Sequence, residues 1–124
     1  MGATAYYRNK ILDHMLRGQA FAPPTAVYVS LHTGAPDDRG SLEVAGGDYA
    51  REPVRFGNPA EGLIENTEGV EWPNMPKVNV SHVGLWDAAT GGNLLWSGQQ
   101  APARALLDGD AYRIPAFALT VEIG

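Results

Sequence analysis

A chain of 124 residues carrying 44% hydrophobic and 19% charged residues is long enough for one packed core, too short for two, and too apolar to be disordered. Its net charge of -5, with nine Lys and Arg scattered among fourteen acids, excludes a general binder of nucleic acid or anionic membrane. The absence of cysteine excludes disulfides, thiolate metal sites and a cysteine nucleophile.

The first element in chain order is a helix over residues 4–17. Thr4 is an N-cap, Gly18 is a stop, and Tyr7, Ile11, Leu12, Met15 and Leu16 fall at helical spacing. Arg8, Lys10, Asp13 and Arg17 occupy its polar side, so the helix is amphipathic and needs something apolar to dock on. After Pro23-Pro24, the run TAVYVSLHTG alternates Val27, Val29, Leu31 and Thr33 against Tyr28, Ser30 and His32, the period of a half-buried strand. A polar loop follows at residues 34–40. Gly46-Gly47 then makes a turn into an extended run containing Pro53, which cannot donate to a ladder and so marks a sheet edge or bulge.

Short strands are expected at residues 63–65 and in GVEWP, with NMPKVN as a surface loop. The stretch HVGLWDAATGGNLLWSG has the pattern of a hairpin, with Gly91, Gly92 and Asn93 at the turn and Trp86 and Trp96 as core anchors. Alternation places His82, Gly84 and Trp86 on one face of its first arm, and Leu94 with Trp96 on one face of the second. Both faces are partly apolar, the pattern of a sheet covered on two sides. The chain then reads as strand, Asp108-Gly109-Asp110 turn, short strand and a terminal strand in which Phe117, Leu119, Val121 and Ile123 alternate. Fifteen glycines and nine prolines dispersed between short apolar runs require many turns. The fold expected is mainly β: one domain over residues 1–124, an antiparallel β-sandwich of Greek-key or jelly-roll type from about residue 25, preceded by one amphipathic helix.

Motifs that carry chemistry are weak by comparison. His14, His32 and His82 lie on three different elements, without the close ligand pair a metal site needs, so neither metal nor cofactor is expected. No serine sits in a nucleophile elbow, and neither glycine pair is followed by the lysine and helix of a phosphate loop. The acid pairs Asp37-Asp38 and Asp108/Asp110 fall in turns, where Asp bonds nearby backbone amides. No residue is therefore assigned to catalysis. Trp72, Trp86 and Trp96 leave one binding alternative, a stacking platform for sugar in a carbohydrate-binding module that contacts a cell surface. No run approaches the ~18 apolar residues of a membrane span, and the chain start lacks a signal-peptide layout, which predicts assembly in the cytoplasm.

Taken together, YYRNKILDHMLRG, VYVSLHTGAPDD, EVAGGDYAREPVRFG, HVGLWDAATGGNLLWSG and DGDAYRIPAFALTVEIG resemble small virion structural proteins of tailed bacteriophages, of the kind called tail fibre proteins, and the resemblance implies a place in the tail fibre or tail tip or, as a head-decoration protein, on the capsid surface. The resemblance implies a non-enzymatic part in assembly and transfers no catalytic residue. It implies partners among capsid or tail subunits and copies of the chain itself, a trimer being one form, with neither nucleic acid nor membrane as partner. It implies location in the virion. The surfaces nominated for assembly, on polarity and aromatic content, are Tyr6, Tyr7 and Arg8 on the helix and Asn74 and Met75 in the Pro73/Pro76 loop.

Overall fold

The structure, a computed structural model, describes residues 1–123, and the side chains of all of these except residues 101 and 102. The single-domain span expected over residues 1–124 thus ends on Gly124, which lies outside the described residues. The elements are β1 (Gly2–Ala3), α1 (Ala5–Arg17), β2 (Val27–His32), β3 (Glu52–Val54), β4 (Leu63–Glu65), β5 (Val70–Trp72), β6 (Val78–Trp86), β7 (Leu94–Leu106), β8 (Tyr112–Ile114) and β9 (Thr120–Glu122). The fold is mainly β and antiparallel, with one helix near the N-terminus.

Helix α1 forms where its sequence signals say. Thr4 sits in extended conformation and its hydroxyl accepts from the Tyr7 N–H, filling one of the donors a helix start leaves open. Gly18 closes the helix in the left-handed region that costs a residue with a Cβ. Thr4 also fixes the helix to the sheet: its N–H reaches the Leu95 carbonyl at 2.9 Å and its hydroxyl donates to the Leu94 carbonyl at 2.7 Å.

The main sheet has five strands in the order β1-β7-β6-β2-β3, and β4-β9 and β5-β8 form separate two-stranded sheets. β3 is an edge, as Pro53 requires. One face of the main sheet carries Val29, Leu31, Val83 and Leu85. These share a single core with Val70 and Trp72 of β5, Tyr112 and Ile114 of β8, and Val121 of β9. The second layer is thus two short ladders rather than a continuous sheet. Polar turns at residues 73–77 and 107–111, and the turn held by Asn66, interrupt it.

The register corrects three readings of the sequence. β6 and β7 do form the hairpin, with Gly91 and Gly92 at positive φ, but a bulge pairs Leu85 with Trp96 and Trp86 with Leu94. Leu94 and Trp96 therefore lie on opposite faces, because the bulge inserts Leu95 and resets the alternation. The NMPKVN segment is only partly a loop: β6 begins at Val78, and Met75, nominated as a surface residue, is 1% exposed with its N–H bonded to the Asp110 carbonyl. The side chain of Met75 fills the core and offers nothing to a partner. In the terminal strand only Leu119 and Val121 are buried; Phe117 is 61% and Ile123 65% exposed, since β9 has three residues and Phe117 sits in a turn at φ 66°.

Candidate functional site: a sealed polar network beside an open apolar groove

The opposite face of the main sheet joins His32 and Trp86 to Ser30, a grouping that the sequence pattern does not reveal. Ser30 and His32 of β2 lie on one face with Gly84 and Trp86 of β6. The Trp86 indole N–H donates to Ser30 Oγ at 2.7 Å, and Ser30 Oγ lies 2.6 Å from His32 Nε2. His32 Nδ1 lies 2.8 Å from the Ser41 carbonyl, which can only accept. Nδ1 therefore carries the proton, Nε2 accepts from the serine, and the chain of bonds has one direction. Burial pushes the imidazole below its usual range, which keeps this neutral tautomer. Gly84 makes the arrangement fit: a Cβ there would stand 2.7 Å from Ser30 Oγ and 2.8 Å from Leu94 Cδ1.

A second set of bonds seals the first. The Arg51 guanidinium stacks 3.6 Å from the Trp86 ring centroid, forms a two-point pair with Glu43 (3.1 and 3.0 Å), and donates to the carbonyls of Ala88 and Gly91 in the hairpin tip. Tyr49 donates to the same carboxylate at 2.7 Å while accepting from the Leu31 N–H. Burial alone would raise the Glu43 pKa, but the bonds from Arg51 and Tyr49 outweigh it and hold the carboxylate below its usual range. Burial, with the acceptor Glu43 at hand, raises the Tyr49 phenol. Gly40, at φ 80°, lies so close to the Trp86 ring that no Cβ fits there.

Ser30 and His32 stand at the distance of a nucleophile and its base, yet both are 0% exposed. The imidazole is oriented by a carbonyl rather than a carboxylate, and the serine oxygen already accepts from Trp86. No acyl group can approach this serine, and the cluster acts as a polar rivet between β2, β6 and the loop over residues 33–51. Among the described residues no buried side-chain nitrogen or oxygen lacks a partner, and no three potential metal ligands converge. His82, directly opposite His32 across the ladder, bonds the Ser81 hydroxyl instead.

The core face is open at one end. Between α1, β4 and β9 lies an apolar cavity of about 340 Å³ lined by Val27, Phe56, Leu63, Ile64, Val121 and Trp96. A second hollow of about 510 Å³, lined by Arg8, Ile11, Leu12, Trp96, Glu122 and Ile123, continues it along the helix. Trp96 is half-buried, its ring 4.6 Å edge-on from that of Tyr7. Of the other nominated residues, Tyr6 turns toward Lys10, Arg8 faces the groove and bonds the Ala3 carbonyl, and Asn74 is exposed and bonds Asp48 at 2.6 Å. α1 has no buried residue: Leu12, Met15 and Leu16 are 54%, 70% and 78% exposed.

A β-rich domain with its polar groups riveted together under cover and an apolar groove left open is a structural module. The chain belongs to the family described as podophage GP4 fiber I protein gp80, which it matches over residues 2–122. It is accordingly a phage fibre structural protein, a component of the virion that associates with other virion proteins. No curated protein matches the chain.

Proposed function

We propose that the chain is a non-enzymatic β-domain of the tail fibre or tail tip, assembled in the host cytoplasm as a homo-oligomer, which joins virion proteins by covering apolar surface. One observation carries this reading: in a family of fibre proteins, the apolar face of α1 and the groove beside it are open, while the polar cluster is satisfied internally. Many weak contacts of this kind add up when copies are held on one particle. A net charge of -5 supports protein surfaces, rather than nucleic acid or anionic membrane, as partners. The carbohydrate-binding alternative calls for an exposed tryptophan face. Trp72 and Trp86 are buried, with indole N–H groups bonded to the Ala50 carbonyl and Ser30, and Trp96 is half-covered by Tyr7, which favours assembly over sugar stacking. Localising the protein by image reconstruction of particles tests the proposal. Density at the tail, with copies in a low multiple of its symmetry, is expected; hundreds of copies over the capsid, or absence from mature particles, would overturn it.

A further inference from the structure

The hollow along α1 is lined by one charge of each sign, Arg8 and Glu122, over an apolar floor. The charges that line it are Arg8 on α1 and Glu122 on β9, and among the described residues neither belongs to an ion pair. Helical spacing puts Arg8 on the same strip as Leu12 and Met15, so charge and exposed apolar side chains face one way. The hollow along the helix and the apolar cavity are contiguous, sharing Trp96 and Ile123. A hollow with a cation at Arg8, an anion at Glu122 and an apolar floor can complement itself under a two-fold rotation.

We propose that the occupant of this groove is a second copy of the chain, related by a two-fold axis. Leu12, Met15 and Leu16 of each copy cover the floor of the other, and each Arg8 faces the Glu122 of its partner. Rim charges of this sort select orientation, and the apolar strip supplies the area. This deepens the assembly reading given above and rests on it. The test uses the full chain, with mass measured by light scattering and native mass spectrometry at micromolar concentration. The wild type is expected to be a dimer. Arg8→Glu and Glu122→Arg, each placing two like charges face to face, are expected to weaken self-association about tenfold or more. An equimolar mixture of the two variants restores both opposite-charge pairs, so a heterodimer forms. That rescue shows that both variants are folded and that position 8 of one copy faces position 122 of another, and a mass that stops at two copies shows that the pairing closes on itself as a two-fold contact does. A monomeric wild type, single variants as dimeric as wild type, or a mixture no stronger than its components would each overturn the pairing. The two readings fail separately: a monomer found on the tail overturns the pairing alone, and a dimer absent from particles overturns the virion role.

Discussion

Arg51 does more than any other side chain to hold the covered face together, because a single guanidinium joins the Glu43 carboxylate, the Trp86 ring and two carbonyls of the hairpin tip. With only 9% of the Arg51 side chain and 23% of Glu43 exposed, removing one partner strands a charge in a low-dielectric site. Arg51→Ala is expected to lower unfolding stability by about 3 kcal/mol in urea titration, and a Glu43→Gln background should shrink that loss, because the stranded charge is then absent. His32 gives the same face a pH dependence of definite sign. Its pKa is lowered by folding, so the unfolded chain binds more protons between the folded value and the ordinary 6.5. Stability is therefore retained above 6.5 and falls as the pH drops below it; urea midpoints measured from about pH 7.5 to about pH 5.5 should decline, and His32→Gln should flatten that decline. Glu43, also depressed, adds a further loss in the same direction below its ordinary 4.5.

Among the elements, the turn between β8 and β9 stores strain that can be measured. Asn66, 0% exposed, donates to the carbonyls of Glu68 and Pro115 and accepts from the Leu119 N–H, and its backbone carbonyl takes the Phe117 N–H. That bonding holds Phe117 at φ 66° with its ring exposed, a conformation an aromatic residue adopts at a cost. Phe117→Gly is expected to raise the melting stability by about 0.5–1 kcal/mol in calorimetry, despite the freer unfolded chain a glycine brings. At the other end of the chain, Thr4 acts both as N-cap and as anchor to β7. Thr4→Val keeps the shape but removes both side-chain bonds, and should abolish amide exchange protection over residues 5–17 while leaving β2 and β6 protected, at a cost of about 1–2 kcal/mol.

These elements also show what a sequence can and cannot reveal. Thr4 caps through its own hydroxyl three residues away, and Gly18, the glycines of the hairpin and Pro53 act through their own backbone, so helix, hairpin and edge strand were legible from local chemistry. The alternation of Val27, Val29, Leu31 likewise announced β2. The bulge at Leu95 was not legible, because no residue type encodes it; it follows from how β6 and β7 meet around the tip. Met75 was misread because flanking prolines signal a turn without saying which side chain the turn throws inward. The polar rivet left only one faint trace, a strand alternating Ser30 and His32 where a solvent face was the simpler reading. The partners that bury it, Glu43, Tyr49, Arg51 and Trp86, lie far along the chain.

At the scale of the whole molecule, the two sides of the main sheet have different tasks. One is closed by hydrogen bonds and an ion pair and holds the hairpin and the long loop in place; the other is a hydrocarbon core left open beside α1. A helix without a buried residue draws little stability from its own molecule, so its order depends on Thr4, Tyr7 and whatever covers its apolar strip. Assembly is then expected to change α1 more than the sheets: hydrogen exchange in α1 should slow markedly when the chain is joined to its partner copy, in the wild-type dimer or on particles, relative to the dissociated Arg8→Glu variant, while exchange in β6 stays as it was. Equal protection of α1 in both states would mean that this face is not where the protein is joined.

The contact between Gly84 and the Ser30–His32 pair bears finally on descent. A side chain at position 84 would displace Ser30; losing Ser30 would leave the Trp86 indole and the His32 ring unpartnered; losing Trp86 would empty the space against Gly40 and beneath Arg51. Each single step passes through a damaged intermediate, so lineages should keep these positions as a block or exchange them together. Among members of the fibre family, variation is expected to be free at Leu107 or Asp38 and linked across Ser30, His32, Gly84 and Trp86, a pattern that counts of substitutions per lineage would expose.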